Sequence, residues 1–223
     1  TDDDETSDTG SQTTVESQTI TNISSTQTGT AALVENSGNN DNFVTATLPP
    51  GVSLTSEGSA VAQSTTAAQD TLIASIDVRD SSSETELINA AISFIQQLPQ
   101  TSKVDVRTIT PSTTSSALEQ PIAITGSTGP ATQTEAFVID LRQMPAAPPT
   151  QLKLNNIAFS VIIGPTLITG GSGSNIVVAD NAPQRIVLGE DDDTLDGGGG
   201  NDTIGSAGGD DLLIGGRGQD RIT

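Results

Sequence analysis

Apolar residues recur at helical spacing in two stretches of the chain. From about residue 59 to 78 the repeating positions are Val61, Thr65, Ala68, Leu72 and Ile76. The second stretch follows an S-x-x-E capping box formed by Ser83 and Glu86 and stops at Pro99, with repeating positions Leu87, Ile88, Ala91, Ile92 and Ile95. Apolar residues that recur every three to four positions lie on one face of a helix, and this pattern is typical of an amphipathic helix. The pattern therefore predicts two helices.

Most of the remaining apolar residues lie in short β-type runs. These runs cover residues 42–48, 103–109, 121–125, 135–141, 151–154 and 157–163, and loops rich in Ser, Thr, Gly and Pro separate them. Runs of four to eight β-prone residues between turn-forming clusters are typical of strands. We therefore predict that residues 31–169 form a small α+β domain with two helices.

Residues 1–30 form an acidic N-terminal arm rich in Thr and Ser. The arm holds six acids, no base and 15 Ser or Thr residues. Such a composition is typical of a disordered linker, because it offers little apolar surface to offset the entropy of ordering. However, residues 13–23 are β-prone and include Val15, Ile20 and Ile23. The arm is either a linker or a strand exchanged with a neighbouring subunit, as part of a homo-oligomer or polymer.

Composition excludes several classes of function. The chain of 223 residues has no His, Cys, Trp or Tyr and a formal net charge of −20. Without His or Cys there is no imidazole base, thiol nucleophile or soft-metal site, and the remaining oxygen ligands suit hard cations such as Ca²⁺. The acidic charge argues against nucleic acid and anionic membrane surfaces. No apolar run is long enough for membrane insertion.

The C-terminal zone, 170–223, divides without a gap into six nonapeptides. They read GGSGSNIVV, ADNAPQRIV, LGEDDDTLD, GGGGNDTIG, SAGGDDLLI and GGRGQDRIT. Position eight is always aliphatic: Val177, Ile186, Leu195, Ile204, Leu213 and Ile222. Position six is Asn175, Gln184, Asp193, Asp202, Asp211 and Asp220. Two units, 197–205 and 215–223, match G-G-x-G-x-D-x-U-x at every defined position.

This zone resembles the RTX calcium-binding repeats of secreted bacterial proteins. The resemblance implies a parallel β-roll in which two nonapeptides make one coil, so that each unit stacks on the second unit after it. Coils about 4.8 Å apart would place Asp193 over Asp211 and Asp202 over Asp220. Two carboxylates about 4 Å apart repel by roughly 1 kcal/mol in water, and a divalent cation between them reverses that sign. The chain is thus expected to be mainly β, with the α+β domain followed by the roll.

The resemblance implies two complete calcium sites, each with six oxygens. The first would use the carbonyls of Gly189, Asp191, Ser206 and Gly208 and the carboxylates of Asp193 and Asp211. The second would use the carbonyls of Gly198, Gly200, Gly215 and Arg217 and the carboxylates of Asp202 and Asp220. We expect these carbonyls to be free to point at the cation. Two further sites, Asn175 over Asp193 and Gln184 over Asp202, lack one charge each and should be weak or empty.

The RTX resemblance implies a protein exported by type I secretion to the extracellular space or cell surface. Residues 31–169 are loosely similar to segments of large RTX surface proteins. The leading hypothesis is a structural subunit of a filament, surface layer or matrix. The alternative is an adhesive module that contacts a cell surface or glycan. An enzyme is not expected: Glu84 and Glu86 suit the first turn of a helix, and Ser172 has no His to activate it.

Overall fold

The computed structural model describes residues 15–24, 26–34, 44–79, 82–126 and 133–223. In chain order the elements are β1 Val15–Thr21, β2 Gly29–Val34, β3 Val44–Leu48, β4 Val52–Ser59, β5 Gln63–Ser64, α1 Thr65–Asp77, α2 Glu84–Gln97, β6 Lys103–Thr113, β7 Ile122–Thr125, β8 Gln133–Asp140, β9 Thr150–Asn155, β10 Phe159–Ile163, β11 Thr166–Gly170, β12 Ile176–Ala179, β13 Arg185–Val187, β14 Thr194–Asp196, β15 Thr203–Gly205, β16 Leu212–Ile214 and β17 Arg221–Ile222. The predicted mainly β chain with two helices is confirmed for these residues.

The strands form two sheets. The first has the order β1-β4-β6-β8-β10-β12-β14-β16, with β5 beside β6, and the second has the order β2-β3-β7-β9-β11-β13-β15-β17. From β6 onwards the chain alternates between the two sheets, and every step of two strands is a parallel pairing. The chain thus winds as a stack of parallel coils that continues through residue 170 without a break.

The coils become shorter and more regular along the chain. In the first sheet, each residue of the following series pairs with the next one on the neighbouring strand: Val106, Ala136, Phe159, Ile176, Thr194 and Leu212. The interval between paired positions shrinks as far as Ile176, and each later interval equals two nonapeptides. The structure therefore pairs each nonapeptide of β14 to β17 with the unit two places before it.

Two apolar clusters hold the layers together. Between the sheets lie inward-facing residues such as Phe137, Ile139 and Leu152, and the repeats continue this core with Val177, Ile186, Leu195 and Ile204. The other cluster lies between the outer face of the first sheet and the helices, where the rings of Phe94 and Phe159 stack 4.7 Å apart. Since neighbouring residues of a strand point to opposite faces, the first sheet contributes side chains to both clusters.

The helical layer ends before the last coils. Ile176 and Val178 of β12 still pack against the helical cluster. On the next strands the outward residues are Thr194 and Asp196, and then Leu212 and Ile214, which are 55% and 42% exposed. The coils of β14 to β17 are therefore held by the narrow core between the sheets and by their turns.

The N-terminal arm enters the first sheet of its own chain. Strand β1 pairs antiparallel with β4, and the hydroxyls of Thr19 and Thr55 lie 3.1 Å apart. Ile20 packs against the edge of the core between the sheets. Residues 1–14 of the arm lie outside the described residues. Exchange of this strand between subunits stays a prediction.

Several sequence-based boundaries need correction. The first helix was expected from residue 59, but residues 52–59 form strand β4, helix α1 begins at Thr65, and Val61 is 72% exposed. Ser64 caps that helix by accepting a hydrogen bond from the Ala67 amide. At α2, Ser83 holds the N-cap position without the expected side-chain capping bond. Strand β3 begins at Val44, since residues 42 and 43 of the predicted run lie outside the described residues.

A buried ion pair lies at the start of β6. The Arg107 guanidinium donates to Asp105 Oδ1 at 3.2 Å and to the Ser59 carbonyl at 3.0 Å. Burial raises the pKa of Asp105, and the charge and hydrogen bond of Arg107 oppose that rise. Removing either partner would leave a buried charge unpaired, which is strongly destabilising.

Candidate metal centre

The turns between the sheets stack in two columns, one at each edge of the coils. We call the turns 171–175, 188–193 and 206–211, which lead into the first sheet, the first turn column. The turns 180–184, 197–202 and 215–220, which lead into the second sheet, form the second turn column. The first predicted calcium site lies in the first column and the second site in the second. Each of these turns ends at the position-six residue of its nonapeptide.

Position-six carboxylates connect successive coils. Asp193 Oδ1 accepts a hydrogen bond from the Asn175 amide at 2.8 Å, and Asp211 Oδ1 accepts one from the Asp193 amide at 3.0 Å. In the second column, Asp202 Oδ1 accepts from the Gln184 amide at 2.8 Å, and Asp220 Oδ1 from the Asp202 amide at 3.0 Å. One oxygen of each carboxylate thus binds the preceding coil, which leaves the other oxygen for a different partner.

In the second column that other oxygen is buried without a partner. Asp202 is 2% exposed, and its Oδ2 has no hydrogen bond. A Cβ placed on Gly197 would lie 3.0 Å from Asp202 Oδ2 and 2.8 Å from the carbonyl oxygen of Gly215. A carboxylate oxygen from one coil and a carbonyl oxygen from the next therefore flank the same point. Two oxygens that face each other without a donor repel, and a cation removes that repulsion.

The electrostatics of Asp202 reflect this environment. Burial, together with the nearby carboxylates of Asp220, Asp180 and Asp196, raises the pKa of Asp202 to about 6, against the opposing hydrogen bond from the Gln184 amide. Desolvation and like charges both disfavour the ionised carboxyl. The surroundings of Asp202 therefore disfavour its ionised form.

In the first column a hydroxyl lies beside the corresponding carboxylate oxygen, Asp193 Oδ2. Ser206 Oγ lies 3.1 Å from Asp193 Oδ2 and 3.1 Å from the carbonyl oxygen of Gly189. Ser206 and Gly215 are equivalent positions in the two columns, because Ser206 follows Asp193 by the same number of residues as Gly215 follows Asp202. The two columns thus share a backbone arrangement but differ in whether a protein group lies between their oxygens.

Glycine at positions two and four is required by the tight stacking of the turns. Gly216 and Gly218 have φ values of 91° and 137°, in the region that side chains rarely adopt. A Cβ on either residue would collide with the carbonyl oxygen of Gly198 or Gly200 in the coil before. The glycines of the pattern thus allow one turn to rest directly on another.

The position-two carbonyls are not free, contrary to expectation. The Gly189 carbonyl accepts a hydrogen bond from the Ala207 amide at 2.9 Å, and the Gly198 carbonyl accepts one from the Arg217 amide at 2.7 Å. These bonds join consecutive coils. A carbonyl oxygen has two lone pairs, so the Gly198 carbonyl can still serve a cation after accepting one bond. The Gly189 carbonyl also accepts from the Gly208 amide and lies 3.1 Å from Ser206 Oγ, so it would have to give up a bond to bind a cation.

The remaining predicted ligands lie in the same turns. Gly208 donates its amide to the Gly189 carbonyl at 3.3 Å, and the Asp191 carbonyl packs against Gly209. The Asp191 side chain accepts from the Gly173 amide at 2.7 Å. Gly200 lies beneath Gly218. All twelve predicted residues lie in the two turn columns, six in each.

Sequence reasoning missed Asp180, which replaces the usual glycine at position two. Its carboxylate accepts hydrogen bonds from the Gly164 amide at 2.8 Å, the Ala182 amide at 3.0 Å and Gln184 Nε2 at 2.6 Å. Gln184 Oε1, like Asn175 Oδ1 in the first column, is buried without a hydrogen bond. An acid at a glycine position of an otherwise acidic repeat was the signal available in the sequence.

Among the described residues, no three His, Cys, Asp or Glu side chains come together as a metal site. The carboxylate and carbonyl oxygens of the two turn columns belong to a donor set that suits Ca²⁺. Within the same residues neither helix is long and apolar enough to cross a membrane. Comparison of the chain with protein-family models, curated proteins and solved structures found no match.

Proposed function

We propose that this chain is a secreted structural protein whose C-terminal coils are an RTX-type β-roll closed by Ca²⁺. The observation that carries the proposal is Asp202 Oδ2, a buried carboxylate oxygen without a partner beside the Gly215 carbonyl. The register of two nonapeptides per coil supports it, since it stacks every position-six residue in line with the next. The proposed role involves no catalysis.

Calcium would be held by the two groups of six residues. Extracellular calcium modules bind at about 0.1–1 mM, so the roll would stay open in a cytosol and close after export through a type I channel. Binding free energy of this kind is folding free energy, because the site forms only when the turns stack. The proposed localisation is therefore extracellular or on the cell surface.

The calcium proposal is tested by removing both carboxylates of the second site. Asp202→Ala with Asp220→Ala should lower calcium affinity at least tenfold in calorimetry and reduce the calcium-dependent rise in β-sheet circular dichroism. The matched control is Asp210→Ala, an exposed acid of the first column, which should change affinity less than threefold. Equal behaviour of the double variant and the control would refute the second site.

We also propose that the subunits assemble into a filament, surface layer or matrix through strand β1. The strand lies at the edge of the first sheet, its pairing with β4 is polar, and Ile20 is its one core contact among the described side chains. A strand that pairs with its own chain can pair in the same register with a neighbour, which is the usual basis of domain swapping.

Electron microscopy of the purified protein in about 5–10 mM calcium and in chelator tests assembly, since these concentrations exceed the roughly millimolar affinity of extracellular modules. Fibres or sheets that dissolve on chelation are expected. Deletion of residues 1–24 should leave folded monomers, whereas deletion of residues 1–14, which keeps β1, should still assemble. Normal assembly of the longer deletion would exclude strand exchange.

An adhesive module is the second candidate, and one surface feature favours it. A groove of about 480 Å³ lies between α1 and β4 and is lined by polar groups including Asp70, Thr71, Ser75 and Thr108. Hydroxyl and carboxylate groups can bind the hydroxyls of a glycan. Particles that stay monodisperse in both calcium and chelator, and that bind to a glycan surface, would favour this role over the filament.

A further inference from the structure

The two turn columns differ at position one of their final units, next to the proposed ligands. Position one of the final unit in the first column is Ser206, and position one of the final unit in the second column is Gly215. Ser206 Oγ lies 3.1 Å from both Asp193 Oδ2 and the Gly189 carbonyl. At Gly215 no side chain is available, and Asp202 Oδ2 is left without a partner.

We propose that the Ser206 hydroxyl occupies the place of the cation in the first column and lowers the calcium affinity of that site. This inference rests on the proposed calcium function and adds a residue that controls it. To admit calcium at the first site, the Asp193 carboxylate must give up the hydroxyl hydrogen bond. The second site requires no such exchange, because Asp202 Oδ2 has no bond to lose.

The expected size follows from the cost of one hydrogen bond to a charged group. A hydroxyl bond to a carboxylate contributes on the order of 1–2 kcal/mol, which corresponds to roughly five- to thirtyfold in affinity. The exposed acids of the first column, Glu190, Asp192 and Asp210, act in the opposite direction by attracting cations. Exposed charges are largely screened at physiological salt, and they stay unchanged when Ser206 is replaced.

The experiment isolates each site before changing position one. Asp220→Asn weakens the second site and leaves the first as the tighter one, and Asp211→Asn does the reverse. In the Asp220→Asn background, Ser206→Ala should raise calcium affinity at least fivefold in calorimetry. In the Asp211→Asn background, Gly215→Ser should lower calcium affinity by a similar factor relative to Gly215→Ala, which adds the same Cβ beside Asp220 without the hydroxyl.

Thermal unfolding in chelator provides an independent readout. Ser206→Ala should lower the unfolding midpoint of the calcium-free protein, because Asp193 Oδ2 then loses its partner. It should also enlarge the rise in midpoint on adding calcium. A Cβ on Gly215 would lie 2.7 Å from Asp220 Oδ2, so Asp220 must shift in Gly215→Ser. If that variant does not fold, Ser206→Ala still decides the matter.

The possible results separate this inference from the proposed function. No calcium binding by the unmodified chain would overturn both. Calcium binding at two sites with lower affinity in Ser206→Ala would show the hydroxyl to be a ligand, and would overturn the inference alone. Unchanged affinity in Ser206→Ala would also overturn it, while leaving the calcium sites in place.

Discussion

Between Lys103 and Gly170 the coils are covered on one side by two helices, whereas the coils of β14 to β17 extend beyond the helical layer of the described chain. The earlier coils differ from one another in length. Phe137 fills the core between their two sheets, and Phe159 packs between the first sheet and the helices. The later coils keep a constant length of two nonapeptides, and each unit contributes one aliphatic side chain at position eight. A coil with a large apolar core tolerates irregular turns. A coil with a small core depends on regular turns that stack on one another.

The difference teaches where regularity in sequence is required. Burial of a large side chain contributes about 1.5–3 kcal/mol, so a coil packed on both faces is stabilised wherever its turns lie. A coil whose core receives one aliphatic residue from each of its two nonapeptides gains less, and we attribute the remainder to its stacked turns. Repeated glycine and aspartate are then the sequence mark of the coils that lack other support.

Calcium removal should separate the two regions most strongly. In chelator, the amides of β14 to β17 should lose protection from hydrogen exchange by several orders of magnitude, because the turn carboxylates then repel. The amides of β6, β8 and β10 should keep their protection, because the helices still cover them. Loss of protection throughout the stack would show that the two regions unfold as one unit.

Core truncations should differ in their dependence on calcium. Phe159→Ala removes a ring stacked on Phe94 and should cost about 3–5 kcal/mol of unfolding free energy, equally in calcium and in chelator. Leu195→Ala should cost about 2–5 kcal/mol in calcium and much less in chelator, because its coil is then already open. Denaturant unfolding in the two conditions measures both. An equal loss for Leu195→Ala in calcium and in chelator would contradict the comparison.

The pH dependence of the calcium-free protein should reflect Asp202. Its pKa is raised from 3.8 to about 6 in the folded chain, so the folded state holds a proton that the unfolded state releases between these values. The free energy of unfolding should therefore fall as pH rises from about 4 to above 6. Asp202→Asn should remove that part of the slope. Asp105, whose pKa is also raised, contributes a slope of the same sign in both proteins.

The contact between the helices and the last turn should have the smallest effect. Arg217 donates to Glu86 Oε1 at 2.8 Å, but both side chains are at least half exposed. Exposed ion pairs contribute about 0.2–1 kcal/mol. Glu86→Gln should therefore change the unfolding free energy by less than about 1 kcal/mol, and the change should vanish in concentrated salt. A larger loss would indicate that α2 supports the second turn column.

The sequence predicted the helices and the nonapeptide register but missed the earlier coils. The register could be read because the glycine, Asp and aliphatic positions recur every nine residues. Between β6 and β11 the step from one coil to the next shortens along each sheet, which leaves no constant period to detect. Strand β4, VSLTSEGS, was missed because it contains few apolar residues, although its inward positions are buried.

The sequence spacing predicted which turn residues stack on one another, but not the contacts that individual side chains make. Spacing alone placed Asp202 one coil before Asp220. The hydroxyl of Ser206 and the carboxylate of Asp180 act through contacts with Asp193 and Gln184, and the repeat pattern does not specify either contact. Departures from a repeat are where individual turns acquire their own properties.

The shared nonapeptide frame also determines how such a stack can change in length. Adding or removing two units returns each later unit to the same column, so its neighbours keep their chemistry. Removing one unit transfers every later unit to the opposite sheet. Loss of residues 197–205, for example, would place Gly215 against Asp193 and Ser206 against Gln184. Duplications of two units are therefore conservative, whereas gain or loss of a single unit reassigns every turn that follows it.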